Sequence, residues 1–508
     1  MLAHTQSIAL VGTEGRLVDV EVDVSPGVPR FTTVGLPTKS VREAEQRVHS
    51  ALLASKQSWP KQRIVANLAP GELRKDGTHF DLPIALAVLA ADERLDGARL
   101  REWVAIGELA LDGRIRPVRG VLAAAIASKK AGRRGLICPA QNAPEAALVD
   151  GLEIIAVTSL TECLDWVRGL WRAPVNLPAP VQCEMWVEDL AEVKGHAGAR
   201  RAIEIAAAGG HNLLMVGPPG SGKSMLAHRL PGILPPLSSD QSLEVTRVYS
   251  VGGLLLPPAS LITARPFRSP HHHISLAGLI GGGSGLAGPG EVSYAHHGVL
   301  FLDELPLYRR EALESLRAPL EDKVVHIARS GGAVCFPCNF CLVAAMNPCP
   351  CGYLGDSRLA CSCSGSELQR YRARVSGPLL DRIDIKIDMQ RLDKEQLLNL
   401  APSESSEPVR VRVENCRRIQ SERKGWEGAT NASVSKKLLD ENLSLDVRAR
   451  ELLSSAVDEL ALSGRGVNRV CRVARTIADL AGADLIEEDH LAESLVLRVF
   501  DRRWSVAA

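Results

Sequence analysis

Aromatic residues are scarce in this 508-residue chain, where Phe, Trp and Tyr together supply 4% of the sequence. An excess of either charge is also missing, because 60 basic and 59 acidic residues leave a formal net charge of +1. That balance gives no global sign of nucleic-acid binding, so any such contact must come from local basic elements. No apolar run approaches the roughly 18–20 residues that span a bilayer. The first residues lack the charged and apolar regions of a signal peptide, which predicts a cytoplasmic protein without membrane insertion.

Cysteine, by contrast, occurs 12 times. In the cytoplasm these residues favour reduced thiols or a metal site over a disulfide framework. The remaining composition, 45% hydrophobic and 23% charged, is typical of globular proteins. A chain of this length is expected to form about two to four domains, each with its own core.

The most informative motif is a glycine-rich loop that matches the phosphate-binding pattern G-x-x-x-x-G-K-[ST]. It follows the apolar run 212–216 and precedes residues 225–230, an order typical of strand, loop and helix. Its glycines let backbone N–H groups face the phosphates of a nucleotide, with help from the helix N-terminus. Lys223 would neutralise charge on the β- and γ-phosphates, and the Ser224 hydroxyl would ligate Mg²⁺. The predicted nucleotide site consists of Gly217, Pro218, Pro219, Gly220, Ser221, Gly222, Lys223 and Ser224.

Two further strand ends carry polar groups that suit hydrolysis. The apolar run that begins at Gly298 ends in Asp303 and Glu304. In nucleotide hydrolases with such a loop, an Asp at this position holds Mg²⁺, and the adjacent Glu304 would orient and deprotonate the attacking water. A third run ends in Asn347, which could bond the γ-phosphate or that water. Three strand ends that carry such groups favour a parallel sheet, where ligands lie at the carboxyl edge.

Composition and periodicity divide the chain into four parts. Residues 1–172 alternate strand and helix patterns, for example the strict period of two over Leu17–Val24. Residues 173–187 are proline-rich and typical of a stiff linker. Residues 188–392 hold the motifs above, and residues 393–508 are largely helical. The fold class is therefore expected to be a multidomain α/β protein, with helices predicted at 409–424, 434–440, 447–461, 467–481 and 488–500.

Two loops between the motifs are also predicted. The segment 323–336 has two β-rich runs around Arg329-Ser-Gly-Gly332, which indicates a hairpin. The glycine-rich segment 278–290 follows three consecutive histidines, His271, His272 and His273. Three neighbours in an extended chain cannot easily ligate one ion, so loop structure or phosphate contact is favoured there over a metal site.

Four cysteines follow Asn347 as two C-x-C pairs, and their thiolates could hold a tetrahedral Zn²⁺. The spacing is tighter than the commoner C-x-x-C, so reduced thiols without metal remain the alternative. The nearby Cys335, Cys338 and Cys341 fit packing on a strand more simply. The zinc candidates are Cys349, Cys351, Cys361 and Cys363.

Taken in order, these motifs resemble the magnesium-chelatase-like AAA+ ATPases of the YifB/ComM family, a competence-associated group of DNA helicases. The resemblance extends over nearly the whole chain. Its most specific segments are 204–214 before the phosphate loop, 265–272, 288–296 before the Asp-Glu strand, 376–384 and 472–480. It implies a ring-forming, hexameric ATPase that uses ATP and Mg²⁺ to move DNA strands, as in branch migration during homologous recombination and natural transformation.

The resemblance also implies roles for single arginines. Arg382 is similar to the arginine finger that reaches a neighbouring subunit's nucleotide, and an intrachain pair with Asp381 or Asp384 is the alternative. Arg465 resembles the sensor-2 arginine of a lid helix, with Arg469 as a competitor one turn later. In related helicases, a hairpin placed like 323–336 points into the central channel. Arg329 would then contact DNA phosphates, unless the hairpin is an ordinary surface feature.

The N-terminal part, residues 1–172, is similar to the Lon-type protease domain, although it departs from that family's catalytic pattern. His79 stands where the nucleophilic serine is expected, and Leu122 stands where the general-base lysine is expected. A Ser–Lys mechanism needs a hydroxyl and a neutral amine within hydrogen-bond reach. The domain is therefore expected to be a catalytically inactive module.

Two other functions share the same ATPase core. One is a protein-remodelling AAA+ ATPase with a Lon-like substrate domain, and the other is a magnesium-chelatase-type motor subunit. The N-terminal domain disfavours the interpretation as a chelatase subunit, because its presence matches the YifB/ComM arrangement. Remodelling cannot be separated from DNA translocation on residues alone.

Overall fold

The computed structural model describes residues 1–171, 181–183, 188–255, 259–283, 287–329, 332–356, 358–392, 403–426, 428–460 and 462–498. Its N-terminal domain contains a seven-stranded mixed sheet in the order β3-β4-β2-β1-β5-β8-β9 and a small β6-β7 ribbon. The strands are β1 (Leu2–Val11), β2 (Glu14–Ser25), β3 (Arg30–Val34), β4 (Arg63–Ala69), β5 (Trp103–Ala105), β6 (Glu108–Leu109), β7 (Ile115–Arg116), β8 (Gly135–Pro139) and β9 (Glu153–Val157). The helices are α1 (Lys39–Arg42), α2 (Ala44–Ala54), α3 (Asp81–Ala91), α4 (Val121–Lys130), α5 (Ala143–Ala146) and α6 (Leu160–Val167).

Alternation in β2 sets the orientation of this sheet. The four valines at positions 18, 20, 22 and 24 are buried in the domain core, and the residues between them are not. A strand turns successive side chains to opposite faces, so this spacing presents one apolar face. The apolar helix α3 belongs to the same core. The burial of every second residue in β2 confirms the predicted alternation.

The central domain is built on a five-stranded parallel sheet in the order β13-β16-β19-β11-β20. Its central strands are continuous apolar runs because both faces are covered, as parallel sheets require. In β11, Leu213 and Met215 belong to the core on one face, and Leu214 and Val216 belong to the core on the other. The carboxyl ends of β11, β16 and β19 meet at one edge, so the predicted parallel sheet is confirmed.

The other elements of the central domain surround this sheet. The strands are β10 (Val181–Cys183), β11 (Leu213–Val216), β12 (Ala259–Ile262), β13 (Phe267–Arg268), β14 (Gly281–Gly282), β15 (Gly288–Pro289), β16 (Val299–Leu302), β17 (Val324–Arg329), β18 (Gly332–Pro337), β19 (Cys341–Met346) and β20 (Ile385–Asp388). The helices are α7 (Ala197–Gly209), α8 (Lys223–Ile233), α9 (Ser239–Gly252), α10 (Leu276–Ile280), α11 (Glu291–Tyr294), α12 (Arg310–Ser315), α13 (Arg317–Asp322), α14 (Gly365–Arg372) and α15 (Gly377–Leu380). Short 3₁₀ helices occupy Thr78–Phe80, Gly97–Leu100 and Ala140–Asn142 in the N-terminal domain, and Leu190–Glu192 and Leu305–Leu307 in the central domain.

Part of the predicted linker is not a free connection. Within 173–187, the three residues of β10 pair in parallel with β12 of the central domain. The rest of the linker lies outside the described residues. Proline-rich composition gave no sign of this pairing, because a partner strand nearly 80 positions later in the chain leaves no local pattern.

The N-terminal domain rests directly on the central domain. The Gly120 amide, before α4, donates to the Ser250 carbonyl at 3.1 Å, and the Ser250 hydroxyl bonds the buried Glu145 carboxylate. The turn between β1 and β2 also lies against the β17–β18 hairpin. A Cβ built on Gly12 would sit 2.4 Å from the Cys335 carbonyl oxygen, which shows how closely the two backbones approach.

The C-terminal part is helical, as predicted, with shifted boundaries. Among the described residues the helices are α16 (Ser406–Glu422), α17 (Lys436–Asn442), α18 (Val447–Glu459), α19 (Gly464–Leu480) and α20 (Glu488–Val496). Helix α19 begins three residues before its predicted start because Ser463 caps it by accepting from the Gly466 amide. No helix among the described residues has the length and apolar character needed to cross a bilayer.

A buried ion pair holds these helices together. Within α19, the Arg475 side chain donates to Asp479 at 2.8 Å, and the two side chains are 2% and 0% exposed. Arg423 and Asn431 donate to the same carboxylate at 2.9 and 2.8 Å. Asp479 therefore balances two arginines inside the core.

Replacing Asp479 with Ala is expected to lower the free energy of unfolding by about 3–5 kcal/mol, because it leaves Arg475 buried without a counter-charge. Urea and thermal unfolding would measure the loss. The matched control is Asp458→Ala in the exposed part of α18, where a change within about 0.5 kcal/mol is expected. Equal stability of the two variants would contradict this account.

Candidate active site

The phosphate-binding loop runs from the end of β11 to the start of α8, as the sequence predicts. Gly220 and Gly222 adopt φ values of 78° and 81°, which are left-handed and suit glycine. The Lys223 ammonium donates to the carbonyl oxygens of Gly217 and Pro218 at 2.7 and 2.9 Å. Burial lowers the pKa of Lys223 by disfavouring its charge, and Asp303 opposes that shift. The loop thus folds around a lysine positioned to meet an anion.

Ser224 and Asp303 come together although 79 positions separate them. The Ser224 hydroxyl donates to the Asp303 carboxylate at 2.7 Å. Strands β11 and β16 are both neighbours of β19 and parallel to it, so the loop after β11 and the residues after β16 share one edge. A hydroxyl and a carboxylate side by side are oxygen ligands of the kind Mg²⁺ takes beside nucleotide phosphates.

Glu304 projects from a tight turn beside this pair. It adopts a left-handed φ of 52°, and its amide donates to Asp303 Oδ1 at 2.9 Å. The turn leaves its side chain 53% exposed, with the carboxylate 3.5 Å from His272 Nδ1. A non-glycine residue with positive φ is uncommon, and here it turns the carboxylate out of the strand direction.

Asn347 completes the group at the carboxyl edge. Its side-chain oxygen lies 3.4 Å from the Lys223 ammonium, and its backbone carbonyl accepts from the Tyr371 hydroxyl at 3.2 Å. The structure therefore brings the four predicted residues Lys223, Asp303, Glu304 and Asn347 to one place.

A cavity of about 360 Å³ opens beside Glu304 and Asn347. Arg370 and Arg374, near the end of α14, line it as well. These two cations are not among the site residues predicted from the sequence. The signal was the basic run 370–374, which became informative only when the fold placed α14 against the sheet edge.

Arg382 lies at the opposite edge of the sheet. Its backbone carbonyl accepts from Asn212, which directly precedes β11, whereas the phosphate loop follows β11. Five residues of extended chain separate the two ends, about 16 Å at roughly 3.3 Å per residue. The guanidinium pairs with Glu321 at 2.6 Å, so the predicted intrachain partners Asp381 and Asp384 are wrong. Glu321 lies on another helix, α13, a contact that sequence spacing could not reveal.

One sensor-2 candidate, Arg469, lies toward that same far edge. Arg469 pairs with Asp384 at 3.2 Å, just before β20. Arg465 is exposed in the first turn of α19, one turn before Arg469. Burial would raise the pKa of Asp384, but the His211 ring, with Nδ1 3.5 Å from the carboxylate, and the charge of Arg469 hold it well below its usual range. Arg469 therefore lies toward the end of the sheet away from the phosphate loop of its own chain.

A cavity of about 380 Å³ at this edge gathers a set of cations. The half-buried Arg265 has a pKa lowered to about 9, first by desolvation and then by Arg417. The two carboxylates in the lining are Glu321 and Asp384. Besides these, the charged side chains in the lining are Arg265, Lys323, Arg382, Arg417, Arg469 and Arg472. The cavity is therefore a basic surface aimed away from the chain's own nucleotide loop.

The hairpin predicted around Arg329 is confirmed. Strands β17 and β18 pair antiparallel from Val324↔Pro337 to Arg329↔Gly332. Residues 330 and 331 and the side chain of Arg329 lie outside the described residues, so the predicted DNA contact stays a prediction. In the segment 278–290, predicted as a second loop, the described residues form the end of α10 and the short β14–β15 pair.

Four thiols form a compact cluster after Asn347. The Sγ–Sγ distances are 3.3 Å between Cys349 and Cys351, 3.6 Å between Cys351 and Cys361, and 3.7 Å between Cys361 and Cys349. The Cys363 sulfur accepts from the Cys351 amide at 3.4 Å, and all four sulfurs lie within 4.8 Å of one another.

The remaining cysteines and histidines differ from expectation in two places. Cys338 is buried as predicted, but Cys335 is exposed, with its sulfur 3.0 Å from His326 Nδ1. The three consecutive histidines stack in a turn rather than an extended chain, with ring centroids 4.1 to 5.2 Å apart. A turn therefore brings the three histidine side chains together, whereas an extended chain was expected to hold them apart.

The N-terminal domain shows how the two protease positions are used here. His79 is buried and bonds the Ile8 carbonyl at 2.7 Å, and burial lowers its pKa to about 4. Leu122 is buried, and its amide donates to Glu145 at 2.9 Å. Both positions have structural contacts, and the catalytic inactivity of the module stays a prediction.

Comparison with known proteins assigns family domains to most of the chain. Residues 189–397 match the family described as magnesium chelatase, subunit ChlI. Residues 20–142 match the family described as subunit ChlI of Mg-chelatase, and residues 403–498 match the C-terminal domain of that subunit.

The relatives include two proteins that match over nearly their whole length and one that matches over about a third of this chain. Competence protein ComM of Haemophilus influenzae is 42% identical over 99% of this chain and 98% of its own. The uncharacterized protein YifB of Escherichia coli is 39% identical over 99% of this chain and 97% of its own. A Lon protease of Azospirillum brasilense is 28% identical over 32% of this chain and 22% of its own, in agreement with the Lon-like N-terminal domain.

Proposed function

The chain belongs to the magnesium-chelatase-like AAA+ ATPase family of ComM and YifB, and from this premise we propose that it is an ATP-driven, ring-forming motor that acts on DNA. The activity proposed is that of a helicase that promotes branch migration in homologous recombination and natural transformation. The family supports an ATPase of the ComM type. The observation that carries the proposal is the convergence of Lys223, Ser224, Asp303, Glu304 and Asn347 at one sheet edge.

In the proposed site each residue has a separate task. Backbone N–H groups of the loop and the Lys223 ammonium bind the phosphates of ATP. Ser224 and Asp303 would hold Mg²⁺, which neutralises charge that develops on the phosphate oxygens. Glu304 orients and deprotonates the attacking water, and Asn347 holds that water or the γ-phosphate in line.

Arg382 is proposed to act on the nucleotide of a neighbouring subunit. It lies at the far edge of the sheet from its own phosphate loop and is held there by Glu321. A second copy placed edge to edge would bring the basic cavity of one chain to the loop of the next. The guanidinium then offsets negative charge spread over the transferred phosphoryl group. This geometry supports a homo-oligomeric ring, which we propose to be a hexamer.

The DNA-binding part of the proposal rests on the β17–β18 hairpin. Its strands lie between β16 and β19 in the chain, and those two strands end in Glu304 and Asn347. The chain runs from Glu304 through α12 and α13 into β17, and from β18 through a short connection into β19. A ring repeats the hairpin around one channel, so several weak phosphate contacts act together at high effective concentration.

Replacing Arg329 with Ala is expected to weaken DNA binding and DNA-stimulated ATP turnover while leaving turnover without DNA unchanged. Each phosphate contact removed should reduce the slope of log affinity against log salt by about 0.7–0.9. Titration of single-stranded and branched DNA into ATP-assembled protein at several salt concentrations measures both quantities.

The matched control is Arg418→Ala, an exposed arginine paired with Glu422 on α16, which should keep native DNA affinity. If assembled protein binds no DNA at low salt and unwinds no branched DNA, the helicase proposal fails. Protein remodelling by the same ATPase would then be the better interpretation.

A further inference from the structure

The four-cysteine cluster has the geometry of a metal site. Four thiolates that bind one Zn²⁺ at about 2.3 Å lie about 3.8 Å apart at the corners of a tetrahedron. The three separations measured here, 3.3 to 3.7 Å, are close to that value. A disulfide requires an S–S distance of about 2.05 Å, so the sulfurs are arranged as separate ligands and not as bonded pairs.

Backbone amides also donate hydrogen bonds to two of the sulfurs, which stabilises negative charge on them. The Leu354 amide donates to the Cys349 sulfur at 3.3 Å, and the Cys351 amide donates to the Cys363 sulfur at 3.4 Å. Hydrogen bonds of this kind favour the thiolate over the thiol and orient the sulfurs, as outer contacts do in metal sites.

The segment that carries the first two cysteines rests on the phosphate loop. Gly352 has a left-handed φ of 86°, and a Cβ built there would lie 2.7 Å from the Pro219 ring. On the other side of the same residue, the Arg391 guanidinium donates twice to the Pro219 carbonyl, at 3.2 and 3.1 Å. Arg391 in turn pairs with Asp356 at 3.4 Å and lies over the Tyr353 ring. The loop after Asn347 and the phosphate loop therefore form one packed unit.

We propose that Cys349, Cys351, Cys361 and Cys363 bind one structural Zn²⁺, and that this zinc knuckle holds the Pro219 wall of the nucleotide site in place. Without the ion, four thiols in a short loop provide little to fix its shape. With the ion, the loop is closed at both ends and presents a rigid surface to Pro219. Nucleotide binding thereby depends on zinc occupancy. The zinc site does not depend on the proposed function, whereas its effect on nucleotide binding rests on the proposed ATPase function.

Metal content tests the first half of the proposal. Protein purified without chelators is expected to carry about one zinc per chain by elemental analysis, and Cys361→Ser is expected to lose it. The control is Cys335→Ser, which changes an exposed cysteine of the hairpin and should leave the metal in place. Cobalt added to metal-free protein should give the visible spectrum of a tetrahedral thiolate site. Native protein that carries no zinc and takes up neither zinc nor cobalt would overturn the site.

A pair of glycines tests the second half. Gly352 and Gly355 have similar φ values of 86° and 81°, but only at Gly352 does an added Cβ meet the phosphate loop, because nothing lies within 4 Å of one at Gly355. Gly352→Ala is expected to keep zinc and to lower ATP affinity by about tenfold. Gly355→Ala carries the same backbone strain and should keep both.

A second variant makes the test independent of how Gly352→Ala folds. Arg391→Ala removes the two hydrogen bonds to the Pro219 carbonyl and should also weaken ATP binding while it keeps the metal. Native ATP affinity in both variants would show that the knuckle does not support the loop, even if zinc is present. Failure of the DNA proposal would change neither zinc content nor ATP affinity, so the outcomes can be told apart.

Discussion

Glu304→Gln is expected to bind ATP normally and to hydrolyse it about 10²–10⁴ times more slowly than the native protein. Glutamine keeps the shape of the side chain in the left-handed turn after Asp303 but cannot accept the proton of the attacking water. Binding of a fluorescent nucleotide and phosphate release in a single turnover would measure the two effects separately. ATP-dependent assembly should persist, because the loop and the Mg²⁺ ligands are unchanged.

Two other variants fix the interpretation of that result. Lys223→Ala should lose ATP binding itself, because the ammonium that faces the phosphates is gone. Glu311→Gln changes an exposed carboxylate on α12, close in sequence to Glu304, and should hydrolyse ATP at the native rate. Equal hydrolysis by Glu304→Gln and the native protein would remove Glu304 from its assigned role.

Arg382→Ala is expected to bind ATP and to lose about 10³–10⁵ of its turnover rate, the effect of an arginine finger in related hydrolases. The structure adds a sharper expectation. Because this arginine lies at the sheet edge away from its own phosphate loop, its loss should be repaired by a neighbour. Mixing Arg382→Ala with Lys223→Ala should restore part of the activity, although each variant alone is inactive. In the mixture, some intact loops face intact arginines of the other variant.

The control for this experiment is to show that subunits exchange, which energy transfer between labelled chains measures. Exchange without recovered turnover would contradict action in trans and favour a structural role for the Glu321 pair. Glu321→Gln separates these two roles. It removes the intrachain ion pair, while the guanidinium keeps its hydrogen bonds to the carbonyl oxygens of Arg317 and Pro378. Turnover should therefore persist if Arg382 acts on a neighbour.

Local patterns carried most of the prediction for the site. The loop from Gly217 to Ser224 and the Asp-Glu pair after β16 could be predicted because each depends on residues adjacent in sequence. Asn347 could be placed beside them because ends of parallel strands meet at one edge. The fold class followed from the same reasoning, together with the period of two in β2.

Contacts between distant segments could not be predicted in this way. Glu321 is the partner of Arg382, and Arg469 takes Asp384, because helix packing brings these groups together from separate parts of the chain. Arg370 and Arg374 reach the cavity beside Glu304 only through the placement of α14. Periodicity and capping report on the nearest turn of a helix, and they carry no information on which surfaces meet.

The separation of the phosphate loop and Arg382 on opposite edges of one sheet has a consequence for symmetry. A two-fold dimer presents the same patch on both partners, so it would set loop against loop or arginine against arginine. Joining the loop of one chain to the arginine of the next requires a head-to-tail contact between different surfaces. In an open row of subunits, the phosphate loop at one end and the arginine at the other end have no partner. Only a closed ring gives every loop an arginine from its neighbour. On this geometry a head-to-tail dimer would hold one complete site, and every site would be complete only when the assembly closes.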